Sequence, residues 1–166
     1  HDEIPIIPPE EMRAFFARLR ELGFELGIGT GRPTVETMEP LAALGILEYF
    51  SPDRIVTASD VLAAERQFPE RAPLAKPQPY SYLKSLLGKN TPDETVFATP
   101  LPLADGEQVL IVGDSVADLM AARAMGCRFC ATLTGLSGAA ARESFEKLGA
   151  DYIVDHVLQV VNLFEK

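Results

Sequence analysis

The sequence has 166 residues, 47% of them hydrophobic and 23% charged, which suits one domain with an ordinary core and leaves no apolar run long enough for a membrane-spanning helix. The formal net charge of −9 disfavours nucleic acid, whose binding needs a basic footprint, and no basic-then-apolar stretch marks an N-terminal signal peptide. It does not exclude a small phosphorylated substrate, because a bound divalent cation reverses the field at a single site.

The chain opens on His1 rather than Met, as at a tag scar or a cleavage point. Pro8 and Pro9 lead into a helix whose Met12, Phe15, Phe16, Leu19 and Leu22 recur at helical spacing until Gly23 stops it. Phe24–Gly29 reads as a short strand. Val35, Met38, Leu41 and Leu44 mark a second helical stretch, which Pro40 is expected to kink or split and Gly45 ends. Ile55–Ala58 reads as a strand, and Tyr80, Leu83, Leu86 and Leu87 mark a helix. Residues 88–107, polar and proline-rich, read as a long loop. Gln108–Val112 is almost wholly apolar, as a central parallel strand should be. The helix after it presents Ala117, Met120, Ala121 and Ala124 as its packing face and ends at Gly126. Arg128–Leu133 and Asp151–Val154 read as further strands, with Ser144–Leu148 and Val157–Phe164 helical. Strands alternating with helices imply an α/β fold, a Rossmann-like parallel sheet with helices on both faces, and the whole of residues 1–166 reads as a single domain.

The only cysteines, Cys127 and Cys130, form a C-x-x-C pair without the second pair that zinc would need. Residues three apart in a strand-like run point to opposite faces, so two buried, unbridged thiols in a reducing cytoplasm are expected.

Ligands of such sheets bind at the carboxyl ends of the strands. Three polar clusters lie at or near such ends: Thr30-Gly31-Arg32, Lys76-Pro77, and Gly113-Asp114-Ser115-Val116-Ala117-Asp118. Each has an ordinary explanation taken alone. Thr30 suits a helix cap, Lys76 a surface lysine, Asp114 a cap, and Asp118 a first-turn carboxylate favoured by the helix dipole. Together they offer a hydroxyl with a glycine amide, a lysine and a carboxylate pair at one sheet edge. Tetrahedral phosphate wants donors and positive charge, and Mg²⁺ wants one or two carboxylates with room left for water and phosphate.

The order strand–Thr, Lys-Pro, Gly-Asp-Ser-x-x-x-Asp resembles motifs II, III and IV of the haloacid dehalogenase superfamily. Gly45-Ile46-Leu47-Glu48-Tyr49-Phe50, Ala121-Ala122-Arg123-Ala124-Met125-Gly126 and Ala150-Asp151-Tyr152-Ile153-Val154 extend the likeness from about Pro9 to Phe164. The resemblance implies a Mg²⁺-dependent phosphohydrolase acting on a small phosphorylated metabolite. Thr30 and the Gly31 amide would hold phosphoryl oxygens, and Lys76 would neutralise developing charge. Asp114 would bind Mg²⁺ directly, Asp118 would bind it through water or orient Asp114, and Ser115 and Arg32 would support the site. Phosphoryl transfer is favoured over dehalogenation, which needs no metal.

The family's motif I, an Asp-x-Asp that supplies the nucleophile and the general acid–base, has no counterpart in the sequence. Asp2 precedes any strand, and Asp151 and Asp155 flank the closing one. The motif I strand is central in this fold, so the strands at 24–29 and 108–112 are expected to lack a shared neighbour and to leave backbone groups unpaired. A co-purified N-terminal fragment, a second copy of the chain, or Ile4–Ile7 folded back are candidates to fill that place. Thr30 and Lys76 lie 46 positions apart (76 − 30), read as a helix, a strand and a loop, so any cap domain is expected to precede Ile4. A non-catalytic phosphate- or metal-binding module is the competing reading. A nucleotide-binding domain is a weaker one, without a G-x-G-x-x-G or Walker A loop.

Overall fold

Pro9 occupies the first helical position of α1 (Pro9–Glu21), where its missing N–H costs nothing, and Glu10 and Glu11 meet the positive end of the helix dipole. The computed structural model describes residues 7–134 and 138–165, so Asp2 and, apart from Ile7, the Ile4–Ile7 segment lie outside the described residues. After α1 come β1 (Ile28–Gly29), α2 (Thr34–Ala43), β2 (Ile55–Val56), α3 (Ala58–Gln67), α4 (Tyr80–Leu87) and α5 (Asp93–Ala98). The second half runs β3 (Leu110–Gly113), α6 (Val116–Met125), β4 (Arg128–Thr132), α7 (Arg142–Lys147), β5 (Tyr152–Val154) and a 3-10 helix at Val157–Leu163.

All strand pairs are parallel, and the described strands fall into two sheets, β1–β2 and β3–β4–β5. Helices cover both faces. Phe129 and Ala131 pack with residues of α3, α4, α5, α6 and α7 on one face, while Cys130 and Val154 pack with Phe15 and Leu19 of α1 and Val160 on the other. This is the α/β layering that the alternation of elements implies.

Among the described residues no strand bonds to the inner edges of β1 and β3. The Thr30 amide donates to the Val56 carbonyl, 3.0 Å away, so the Gly29 N–H and C=O, one residue earlier, face away from β2. By the same alternation the Arg128 amide, bonded to the Val109 carbonyl at 3.1 Å, leaves the Leu110 and Val112 backbone groups facing away from β4. Between the two sheets, parallel edges therefore face each other with backbone groups unclaimed by any described strand.

Several local expectations need correction. The strand expected over 24–29 pairs only at Ile28–Gly29, because β2 matches it at two positions. Pro40 does not split α2, which runs through it to Ala43; the Glu36 carbonyl it leaves without a donor belongs to an exposed residue that water reaches. Ile55–Ala58 stops pairing at Val56, and Thr57 caps α3 in a reciprocal box with Asp60, its amide 2.8 Å from the Asp60 carboxylate. The stretch 88–107 contains α5, held by a buried knot in which Lys84 Nζ donates to Asp93 Oδ1 at 2.8 Å and the Tyr80 hydroxyl donates to the same oxygen at 2.8 Å. The strand expected over 108–112 is displaced to 110–113 behind a 3-10 turn at Gly106–Gln108. On α6 the buried residues are Asp118, Leu119, Ala121, Ala122 and Met125, while Met120 is 51% exposed, so the packing face is rotated from the alanine-based reading.

Cys127 and Cys130 are free and buried, and they belong to the clusters on opposite faces of the sheet. Burial pushes both thiols up to about 11, and Asp105 adds to the effect at Cys127. The folded chain is therefore expected to react negligibly with a disulfide reagent such as dithiobisnitrobenzoate at pH 8, and to give two equivalents of thiol on denaturation. Rapid native labelling would show that one of these helix layers opens.

Candidate functional site

The carboxyl ends of β1 and β3 carry two of the three predicted clusters, and the third, Lys76-Pro77, lies in the turn before α4, whose Tyr82 packs on Gly29 of β1. At the end of β3, Gly113 admits a close approach: a Cβ there would stand 2.6 Å from the Asp118 side chain. Ser115 then caps α6, its hydroxyl accepting from the Asp118 amide at 3.1 Å and donating to Asp118 Oδ2 at 2.8 Å, with the Ser115 amide adding a bond at 3.3 Å. This capping box turns Asp118 inward, where it is 5% exposed.

Lys76 meets Asp118 from the other side. Its ammonium donates to Asp118 Oδ1 at 2.8 Å, to the Gly29 carbonyl at 2.8 Å and to the Tyr82 hydroxyl at 3.1 Å. Those three bonds use all three ammonium hydrogens. The lysine thus spans the two sheets, joining the last residue of β1 to the first turn of α6. The surface-lysine explanation fails, because its side chain is 19% exposed and fully bonded.

Tyr82, which sequence reasoning passed over, completes the group. Its hydroxyl donates to Asp118 Oδ1 at 2.6 Å, and its ring lies 4.5 Å from the Lys76 nitrogen. The same ring lies against Gly29, where a Cβ would stand 2.9 Å from it. The apolar spacing of 80–87 accounts for Tyr82 as packing alone, since its ring joins the same cluster as Leu83 and Leu86 while its hydroxyl reaches the site. Its one sequence signal is a position six residues after Lys76, half of which is turn.

Burial alone would raise the Asp118 carboxyl, but the Lys76 ammonium, the Tyr82 hydroxyl and Ser115 outweigh it and hold the group below the ordinary carboxylate range. Burial, then the Asp118 charge, push the Tyr82 phenol far above its usual value, so its hydroxyl stays a donor.

Thr30 directly follows the residue whose carbonyl Lys76 holds. Its hydroxyl accepts from the Arg32 amide at 3.1 Å and does not cap α2, whose N-cap is Pro33. Gly31 and Arg32 are exposed beside it, with open space at the Gly31 α-carbon. Asp114 is exposed at the mouth between Gly113 and Ser115, and its carboxylate makes no hydrogen bond or ion pair among the described residues. The geometry therefore offers a buried carboxylate paired with a half-buried lysine, an exposed carboxylate and a Thr-Gly turn at one sheet edge. Among the described residues no three histidine, cysteine or acidic side chains are grouped to hold a metal ion. Of these two carboxylates Asp114 has free oxygens while both Asp118 oxygens are bonded, so the residues fit part of a Mg²⁺ shell, with Asp114 in direct reach.

A cavity of about 450 Å³, lined by Glu107, Arg123, Cys127, Arg128, Asp151 and Tyr152, opens where β4 and β5 begin, at the opposite end of the strands. Its arginines serve structure: Arg123 bonds the Asp151 carboxylate at 2.9 Å and the Gly149 carbonyl, and Arg128 bonds the Tyr152 hydroxyl at 3.2 Å.

A family model described as a haloacid dehalogenase-like hydrolase matches residues 3–126. Phosphoglycolate phosphatase from Yersinia pseudotuberculosis is 36% identical over 117 residues, 70% of this chain and 39% of the relative. Phosphoglycolate phosphatase from Pectobacterium atrosepticum is 31% identical over 153 residues, 92% of this chain and 53% of the relative. An X-ray structure solved as a structural-genomics target superposes with a TM-score of 0.92 at 43% identity, over 98% of this chain and 43% of that one. A haloacid dehalogenase-like protein from Agrobacterium tumefaciens strain C58, at 20% identity and a TM-score of 0.61 over 89% of this chain and 57% of its own, shares the fold. The chain thus spans only 39% and 53% of the lengths of these two curated relatives.

Proposed function

We propose, because this chain belongs to the haloacid dehalogenase-like hydrolase family, that it is the phosphate-holding part of a Mg²⁺-dependent phosphohydrolase whose nucleophile lies in a segment outside these residues. The observation that carries the reading is Lys76, a half-buried ammonium held between the carboxyl ends of two parallel sheets by Gly29 and Asp118. A cation placed there suits the charge that develops on a transferring phosphoryl group. The names of the relatives, phosphoglycolate phosphatase, support a small phosphorylated acid as substrate.

In this reading Thr30 and the Gly31 amide hold the phosphoryl oxygens, with Arg32 beside them. Lys76 exchanges one of its three present acceptors for a phosphoryl oxygen. Gly29 is the acceptor to lose, because its carbonyl faces the inner edge, where the amide of a further strand would claim it. Asp118 fixes Lys76, and Ser115 fixes Asp118. Asp114 would hold Mg²⁺, with Asp118 linked to it through water. The metal, when bound, screens the phosphate's charge and orients it.

Two features support a separate nucleophile-bearing segment. The sequence contains no Asp-x-Asp, and β1 and β3 leave facing inner edges without a described strand. An apolar parallel strand ending in Asp-x-Asp fits both, and hydrolysis would then pass through an aspartyl-phosphate on that strand. The free thiols on opposite sheet faces suit the reducing cytoplasm.

The protein extended through its upstream segment is expected to hydrolyse 2-phosphoglycolate and p-nitrophenyl phosphate with Mg²⁺, and to lose that turnover in excess EDTA. Undiminished turnover in EDTA would remove the metal assignment. Absence of hydrolysis across a panel of phosphate monoesters would remove the phosphatase reading in favour of a binding module.

A further inference from the structure

The Tyr82 hydroxyl lies in a closed ring of bonds: it donates to Asp118 Oδ1 at 2.6 Å, accepts from Lys76 Nζ at 3.1 Å, and Lys76 itself donates to Asp118 Oδ1 at 2.8 Å. Resting on the proposed phosphohydrolase site, we infer that Tyr82 is a positioning residue, which keeps Lys76 and Asp118 in register when the lysine turns toward a phosphoryl oxygen.

Three observations separate this role from core packing. First, a tyrosine at this site brings a hydroxyl into a pocket where phenylalanine would supply the same ring contact with Gly29 and the same cation–π contact with Lys76. Second, that hydroxyl goes to the two ionic groups and to no backbone atom, so it serves the pair rather than the fold of α4. Third, Asp118 is otherwise tethered by Ser115 through Oδ2 only, which fixes one oxygen; Lys76 and Tyr82 share the other. When Lys76 exchanges the Gly29 carbonyl for a phosphoryl oxygen, Tyr82 holds Asp118 Oδ1 in place beside the shifted ammonium. It also remains an acceptor for the second ammonium hydrogen, so the third is directed at the substrate.

Partners of this outer kind typically change activity by about 10- to 100-fold when removed. In the protein extended through its upstream segment, Tyr82→Phe is expected to lower kcat for a phosphate monoester by roughly tenfold or more, with KM changed less than about twofold and the circular dichroism spectrum unaltered. A purely structural tyrosine would move KM, or the folded spectrum, along with kcat. Tyr82→Leu, which also removes the ring, is expected to lower kcat further. Unchanged kcat in Tyr82→Phe, or a loss that tracks a lost native spectrum, would overturn the inference. Lys76→Met run alongside separates the layers. Full activity there would sink the phosphohydrolase site and this inference with it, whereas a Lys76→Met loss beside an unchanged Tyr82→Phe would sink this inference alone.

Discussion

The 166-residue chain by itself is expected to leave p-nitrophenyl phosphate and acetyl phosphate intact in the presence of Mg²⁺, and a segment carrying an apolar strand that ends in Asp-x-Asp is expected to restore turnover. Phosphoryl transfer through a covalent intermediate needs a nucleophile in line with the leaving group. In the proposed site Lys76 and Thr30 serve phosphoryl oxygens and neither stands in line with the leaving group. Asp118 is committed to Lys76, Tyr82 and Ser115, and Asp114 is the residue assigned to the metal. Removing a covalent nucleophile costs on the order of 10⁴- to 10⁶-fold, with a residue of activity left by positioning and electrostatics. The added segment would also supply amides and carbonyls to the facing edges of β1 and β3, taking the Gly29 carbonyl from Lys76 and freeing a donor for substrate. Its binding is therefore expected to raise the unfolding temperature as well as activity. Robust hydrolysis by the purified chain, abolished by Asp114→Asn and with mass spectrometry finding no co-purified fragment, would mean that another residue attacks. Turnover absent both with and without the segment would favour the binding module.

Lys76→Met in the extended protein is expected to lower kcat by about 10³-fold, the scale seen when a single preorganised charge-stabilising donor is lost. It should also cost stability, because the Asp118 carboxylate, with its side chain 8% exposed, would remain buried without its cation. Breaking such a pair from one side costs about 3–5 kcal/mol. Asp118→Asn is expected to lose comparable activity at a smaller stability cost, since its amide can still bond Ser115 and Tyr82. The double variant should be less unstable than the sum of the two, because removing both charges leaves neither stranded. Chemical denaturation of the four proteins, with kcat measured on each, checks the cycle. Wild-type turnover in Lys76→Met, or strict additivity of the stability changes, would show that the pair is not the coupled unit described.

The sequence by itself determined the segments whose cause is local. Gly113, the Ser115–Asp118 capping box and Gly126 follow an apolar run in one continuous stretch, and each acts on near neighbours, so the strand–turn–helix at 110–126 was readable with small shifts of boundary. The same holds for α1, whose apolar spacing and flanking residues agree. Helix α3 was legible in principle, from the Thr57–Asp60 box, but Leu62 and Ala63 blur its apolar stripe and Leu62 is 52% exposed. Helix α5 was not, because six residues cannot sustain a helix alone and its stability comes from Lys84 and Tyr80 on α4. Tertiary structure alone decided the extent of β1, which needs β2 beside it, and the tilt of α6 that buries Asp118 in place of Met120. It also decided Tyr82. Its contacts depend on where Lys76 and Asp118 arrive from 6 and 36 residues away, and no periodicity along one helix records the position of charges brought to it by other elements.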